Sequence, residues 1–183
     1  MGSGKSRCPP GPWPARIVVP VGQGWREVTS EVLRVSDCAF CRIGRGEIDD
    51  DLVAYRSENV FVVPALKQRQ NNPGHALVLP VSHVTGLYDV PVDLLHEIFE
   101  VTARVTSAVK DAYGAVGSTV TQNNYIPGQV LHHVHVHVVP RFEDDGFRMP
   151  DPQSCEAPWD VRRARAVALR KALPGGRRPP GSC

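Results

Sequence analysis

The run HHVHVHVV at residues 132–139 constrains the fold more than any other stretch of this chain. Val134, Val136, Val138 and Val139 are β-branched, which favours an extended strand over a helix. Alternate residues of a strand share a face. His133, His135 and His137 then form a row, roughly 7 Å between neighbours, and His132 lies at the upstream end of the valine face. A helix would instead turn His135 away from the other two. Two chemistries suit such a row. Either all three imidazoles bind one metal, or they divide roles as ligand, nucleophile and orienting partner. Neutral imidazole attacks phosphorus well, and a neighbouring hydrogen bond decides which nitrogen attacks. Gly128 and Gln129 precede the run, in a turn whose backbone N–H groups and amide suit an oxyanion. No H-E-x-x-H pattern of a catalytic metal site accompanies it.

The rest of the chain frames one domain. Residues 1–24 are broken up by Pro and Gly and read as a flexible tail. GSGKS at the start lacks the earlier glycine and the preceding strand of a phosphate-binding loop, so it reads as part of that tail. Residues 25–150 carry the domain, and Trp25 to Val35 suggests a short helix or turn. LVAYRSE and NVFVVPAL read as a hairpin, and ALVLPV as a buried strand. Pro91 opens a helix in which Leu94, Leu95, Ile98, Val101, Val105 and Val109 recur at helical spacing, ending near Gly114. STVTQNN is a fourth strand, and the histidine run, closed by Pro140, a fifth. The order β-β-β-α-β-β predicts an α+β fold with a largely antiparallel sheet. Residues 151–183 form an extension, with a basic amphipathic helix over PWDVRRARAVALRKAL and a frayed end.

Composition narrows the partners. A net charge of +2 is too small to make nucleic acid or an anionic membrane the main partner. There is no apolar run of about 18 residues and no signal-like apolar core near the start. Five cysteines, an odd number, argue against a disulfide framework and for reduced thiols in a cytoplasmic setting.

Several segments together resemble the histidine triad (HIT) superfamily. HVHVHVV matches its His-φ-His-φ-His-φ-φ pattern, and GQVLHHVHVHVVPRF continues the match on both sides. CAFCRIGRGEI resembles the C-x-x-C segment of many members, and NVFVVPALKQRQNNPGHALVLPVSHVTGLYDV their first strands with the P-G-H segment. The resemblance implies an antiparallel five-stranded half-barrel with one main helix, usually dimerised. It implies nucleotide hydrolysis or nucleotidyl transfer at the α-phosphorus of a nucleoside phosphate. By position, His135 would be the nucleophile that forms a nucleotidyl-histidine intermediate, and His137 would orient the phosphate or the His135 ring. His133 would complete the triad, and Gln129 would touch the bridging atom or leaving group. Gln122 and Asn124 would lie where members contact ribose and phosphate, beside Gly128, Gln129 and Val130. Cys38, Cys41, His83 and His133 match the family's zinc site, and two thiolates with two imidazoles make a closed, structural tetrahedral set. His75 follows Pro73-Gly74 and reads either as a neighbour of the active site or as a core histidine.

The chain departs from the family pattern twice. Val130 stands where many members carry Ser or Thr after the G-Q. The loop ALKQRQNN carries Lys67 and Arg69 where many have an acidic residue, which suits either a grip on further phosphates or a different recognition of the sugar. Besides the enzyme, two readings remain open: a zinc-stabilised module that binds a nucleotide or protein with vestigial catalysis, and a β-barrel enzyme using the histidine row as metal ligands.

Overall fold

A computed structural model describes residues 17–21, 24–28, 38–124, 129, 131–148 and 154–176. The strands β1 (Ile17–Val21) and β2 (Gly24–Val28) pair with each other as an antiparallel ribbon. Extended backbone thus runs through Trp25–Val28, where the sequence suggested a helix or turn, because IVVPV supplies GWREV with a pairing partner. The remainder of the expected tail, including Cys8 and GSGKS, lies outside the described residues.

The centre is a five-stranded antiparallel sheet. Its strands are β3 (Tyr55–Arg56), β4 (Val60–Pro64), β6 (Ala76–Pro80), β7 (Gly117–Gln122) and β8 (Val136–Arg141), in the order β3-β4-β6-β8-β7. A two-residue strand β5 (Lys67–Gln68) leaves this sheet and pairs with β9 (Cys155–Glu156). Helix α1 (Ala39–Gly44) follows Cys38, α2 (Val92–Tyr113) joins β6 to β7, and α3 (Trp159–Ala172) follows β9.

Alternation along the strands sorts the two faces. Val60, Val62, Ala76, Val78, Val136 and Val138 pack on Ile98, Val101, Val105, Ala108 and Val109 of α2. Those helix positions recur at three and four residues, so one stripe faces the sheet. Ala166, Leu169 and Leu173 of the C-terminal segment complete the same core. Phe61, Val63, Leu77 and Leu79 point the other way, against Phe40, Ile43 and Ile48. Pro91 caps α2, and Gly114 ends it at φ 69° with its N–H on the Lys110 carbonyl. A left-handed residue there suits glycine.

The fifth strand differs from its sequence expectation. It begins at Val136, not at His132, because both neighbours run out there: Val78 of β6 and Gln122 of β7 are paired with Val136. Upstream, the Val134 N–H turns to the Val84 carbonyl at 2.6 Å. Downstream, Pro140 is tolerated inside β8 because residues 139–141 pair with β7 alone, so its missing N–H interrupts no ladder on the β6 side.

Candidate functional site

The histidine row splits between two centres. At the first, Cys38 and Cys41 bracket the first turn of α1, on one face of it. The Cys41 Sγ lies 3.2 Å from His83 Nδ1 and 3.5 Å from His133 Nδ1, and the Cys38 Sγ lies 3.4 Å from His133 Nδ1. The four ligand atoms all fall within 4.8 Å of one another. A tetrahedral zinc with Zn–S near 2.3 Å and Zn–N near 2.0 Å has S···N edges of about 3.5 Å, so the spacing fits that ion. The chemistry agrees. Buried His133 directs Nε2–H to the Pro80 carbonyl at 2.9 Å, which leaves Nδ1 as the lone-pair nitrogen facing the sulfurs. Burial and the neighbouring Cys38 push the Cys41 thiol up to about 12, and burial lowers His133 to about 4. A thiol held that high ionises near neutral pH only beside a cation. The cluster is consistent with a zinc site.

At the second centre His135 and His137 remain neighbours, with ring centroids 4.8 Å apart. His135 sits just before β8, and its Nδ1–H donates to the His133 carbonyl at 2.7 Å. In the neutral ring this leaves Nε2 as the lone-pair nitrogen. His137 pairs across the sheet with Leu77 and Thr121, on the face away from α2. Its Nδ1 meets His75 Nε2 at 2.9 Å, and His75 Nδ1 lies 3.2 Å from the Lys67 carbonyl. A carbonyl only accepts, so His75 donates from Nδ1 and accepts at Nε2. His137 must then donate from Nδ1, and its Nε2 also carries a lone pair. Burial keeps the three rings neutral. It lowers His75 to about 4 and His137 to about 3, with Arg69 and the other histidines pushing the same way, and it lowers His135 as well. The ring of Phe40 lies 5.6 Å from His135 and 5.8 Å from His133, an apolar wall against both.

The other expected residues are distributed unevenly. Gln129 is buried, and its Nε2 donates to the Thr85 carbonyl at 2.7 Å, which ties it to the loop that carries His83. Lys67 is exposed and reaches the histidines through its backbone carbonyl. Gln122 pairs with Val136, and partners in register share a face. It therefore points to the α2 side, while Thr121 shares the His137 face. Gln122 and Asn124 bond each other at 2.5 and 3.1 Å, and Asn124 Oδ1 also accepts from the Leu87 N–H. Gly128 and Val130 lie outside the described residues.

Two supports went unread in the sequence. Phe40 is one, although an aromatic inside C-x-x-C was a visible hint. The other is Asp145, which accepts from Arg141, Asn72 and the backbone N–H groups of Phe142 and Phe147. Arg141 holds its carboxyl well below the usual carboxylate range. Through Asn72, this hub braces the loop that leads into His75.

Comparison with known proteins gives the class. The HIT domain family model matches residues 45–144, so the chain belongs to the HIT family. Over 75% of the chain it is 30% identical to the adenylylsulfatase HINT3 of Arabidopsis thaliana, covering 72% of that protein. It is also 30% identical to the adenosine 5'-monophosphoramidase hnt1 of Schizosaccharomyces pombe, over 68% of this chain and 90% of that one. Among solved structures, a zinc-bound histidine triad protein of Mycobacterium smegmatis superposes with a TM-score of 0.58 at 28% identity, covering 75% of this chain and 94% of that one.

Proposed function

We propose that this chain is a nucleotide hydrolase or nucleotidyl transferase acting at the α-phosphorus of a nucleoside phosphate. The observation that carries this reading is the tautomer set by the His133 carbonyl, which leaves His135 Nε2 as a bare, neutral nucleophile beside the His75–His137 pair. The Nε2 lone pair attacks phosphorus and forms a P–N bond. The bond to the leaving group breaks, and that group departs with the pair and takes a proton from solvent. Water or a second acceptor then attacks phosphorus, the P–N bond breaks and its pair returns to Nε2. When water is the acceptor its proton passes to solvent. His137 orients the ring and the phosphate, fixed in turn by His75, and Gln129 faces the leaving group. The relatives named for phosphoramidate and adenylyl sulfate substrates support a nucleotide carrying an amine or sulfate on its α-phosphate. Zinc would be held by Cys38, Cys41, His83 and His133, where it supplies structural cross-linking and no chemistry on the substrate. A second copy is expected against Phe99 of α2 and Val120 on the open edge of β7, both exposed.

The test is mass spectrometry after brief incubation with a panel of nucleoside phosphoramidates, adenylyl sulfate and dinucleoside polyphosphates. A nucleotidyl adduct on His135 is the expected result. Retained nucleotide binding with no adduct and no turnover would make the protein a binding module.

A further inference from the structure

The structure points to a positioning role for the C-terminal segment, outside the matched HIT region at residues 45–144. We propose that β9 and α3 lock the His75 ring in the orientation that fixes His137, with Tyr113 as the link from α3. The proposal rests on the catalytic reading of the His75–His137 pair.

Two routes converge on His75. Along the first, β9 pairs with β5 so that Lys67 opposes Glu156 and Gln68 opposes Cys155, and the Ala157 N–H donates to the Leu66 carbonyl at 3.0 Å. The strand pinned in this way supplies two holds on His75, beside the Ala65 N–H that donates to its carbonyl at 2.9 Å. The Lys67 carbonyl faces His75 Nδ1. The Gln68 amide donates to the His75 carbonyl at 2.8 Å, and its Oε1 accepts from the Gly74 N–H at 2.9 Å.

Along the second route, Tyr113, the last residue of α2, donates its hydroxyl to the Arg165 carbonyl of α3 at 2.8 Å. The Arg165 guanidinium lies 5.5 Å from the centre of the same ring. The Cδ2–Cε2 edge of that ring lies against Gly74, the residue before His75. A Cβ built on Gly74 would stand 2.4 Å from the ring, and the backbone there has φ +95°. Only glycine suits both the contact and the conformation. Tyr113 and β5 therefore both hold the Gly74–His75 peptide, and both are backed by residues between Cys155 and Arg165.

Ring position matters because a His75 that rotates away from Lys67 no longer fixes its own tautomer or that of His137. Small displacements of an orienting group cost large factors in rate, and a loss felt only in the transition state lowers kcat without raising KM.

The test uses three full-length variants. Tyr113→Leu removes the ring from Gly74, and Ala157→Pro removes the N–H that donates to Leu66. Leu173→Ala makes a buried cavity in the C-terminal segment away from His75 and serves as the destabilised control. In the wild type, nitrogen-15 spectra should show His75 with a protonated Nδ1 and a bare Nε2. In Tyr113→Leu and Ala157→Pro the two nitrogens should move towards averaged tautomers. Their kcat should fall about tenfold with KM within about twofold of wild type. Leu173→Ala should lose thermal stability and keep the His75 signature. Unchanged tautomers in the first two variants would overturn the proposal, as would an equal change in the control. A wild type without turnover defeats the catalytic reading alone, because the spectra decide the positioning question without activity.

Discussion

Replacing Cys41 by Ser is the sharpest test of the proposed zinc site. The Cys41 sulfur lies within reach of both imidazoles, at 3.2 Å from His83 and 3.5 Å from His133. Without the ion, the lone pair of the fully buried His133 Nδ1 keeps only the weak Cys38 thiol donor at 3.4 Å and is left poorly satisfied. A buried unsatisfied polar atom costs about 1–3 kcal/mol. His83 is only half-buried and adds less. The loss of cross-linking between α1, the His83 loop and the β8 entry adds to this, since metal-binding free energy is also folding free energy. A total on the order of 3 kcal/mol follows from these parts. At about 2–4 °C per kcal/mol for a domain of this size, the melting temperature should fall by about 6–12 °C. The assay is elemental analysis of purified protein alongside thermal unfolding. Wild type should carry about one zinc per chain, and the variant should lose nearly all of it. A wild type that is metal-free, and whose melting temperature a chelator leaves unchanged, refutes the assignment. So does a Cys41→Ser protein that keeps both metal and stability.

Other changes probe the second centre and its supports. His135→Ala should abolish adduct formation and lower turnover by several orders of magnitude in steady-state assays, with zinc content unchanged. Asp145→Asn removes the charge that five donors converge on, and should lower the melting temperature by about 4–8 °C, as a loss of about 2 kcal/mol implies. Stability should also depend on pH through His75, whose folded value near 4 lies below its unfolded value near 6.5. The unfolded chain then binds the extra proton, so this contribution is complete above pH 6.5 and is lost as the pH falls towards 4. At 1.36 kcal/mol per pH unit it is on the order of 3 kcal/mol, and denaturant titrations of His75→Gln should show a flatter acid limb than wild type.

Strand identities were legible because β-branched runs and Gly or Pro punctuation are local signals. The helix from Val92 to Tyr113 was legible for the same reason, with Pro91 and Gly114 marking its ends. The start of β8 was not, since it depends on where β6 and β7 stop pairing, which residues 132–139 do not encode. The Cys38, Cys41, His83 and His133 set was readable through the family resemblance, and the structure brings these four residues together from three separate segments. Gln122 shows the limit of that route. A residue carried over by position took the face of its strand partner Val136, and a single step of register decides such a face. The C-terminal helix was visible as an amphipathic stretch, but its hold on Tyr113 and Gly74 is a tertiary contact between residues far apart in sequence.

The split of the histidine row follows from where the strand begins. Inside β8, alternation alone would set the ring positions, and His133, His135 and His137 would present identical nitrogens to one side. Because pairing stops at Val136, the backbone before it is free to turn, and the His133 ring swings to Cys38 and Cys41. Its carbonyl stays with the other centre and receives the proton of His135 Nδ1. One residue thus serves the Cys/His cluster with its side chain and sets the tautomer of His135 with its backbone. The same is true one loop away, where His83 faces Cys41 while Thr85, two residues on, holds the Gln129 amide. A metal held by these side chains would act on the site mechanically: it would fix two short pieces of backbone whose carbonyls orient His135 and Gln129, with no need to approach the substrate.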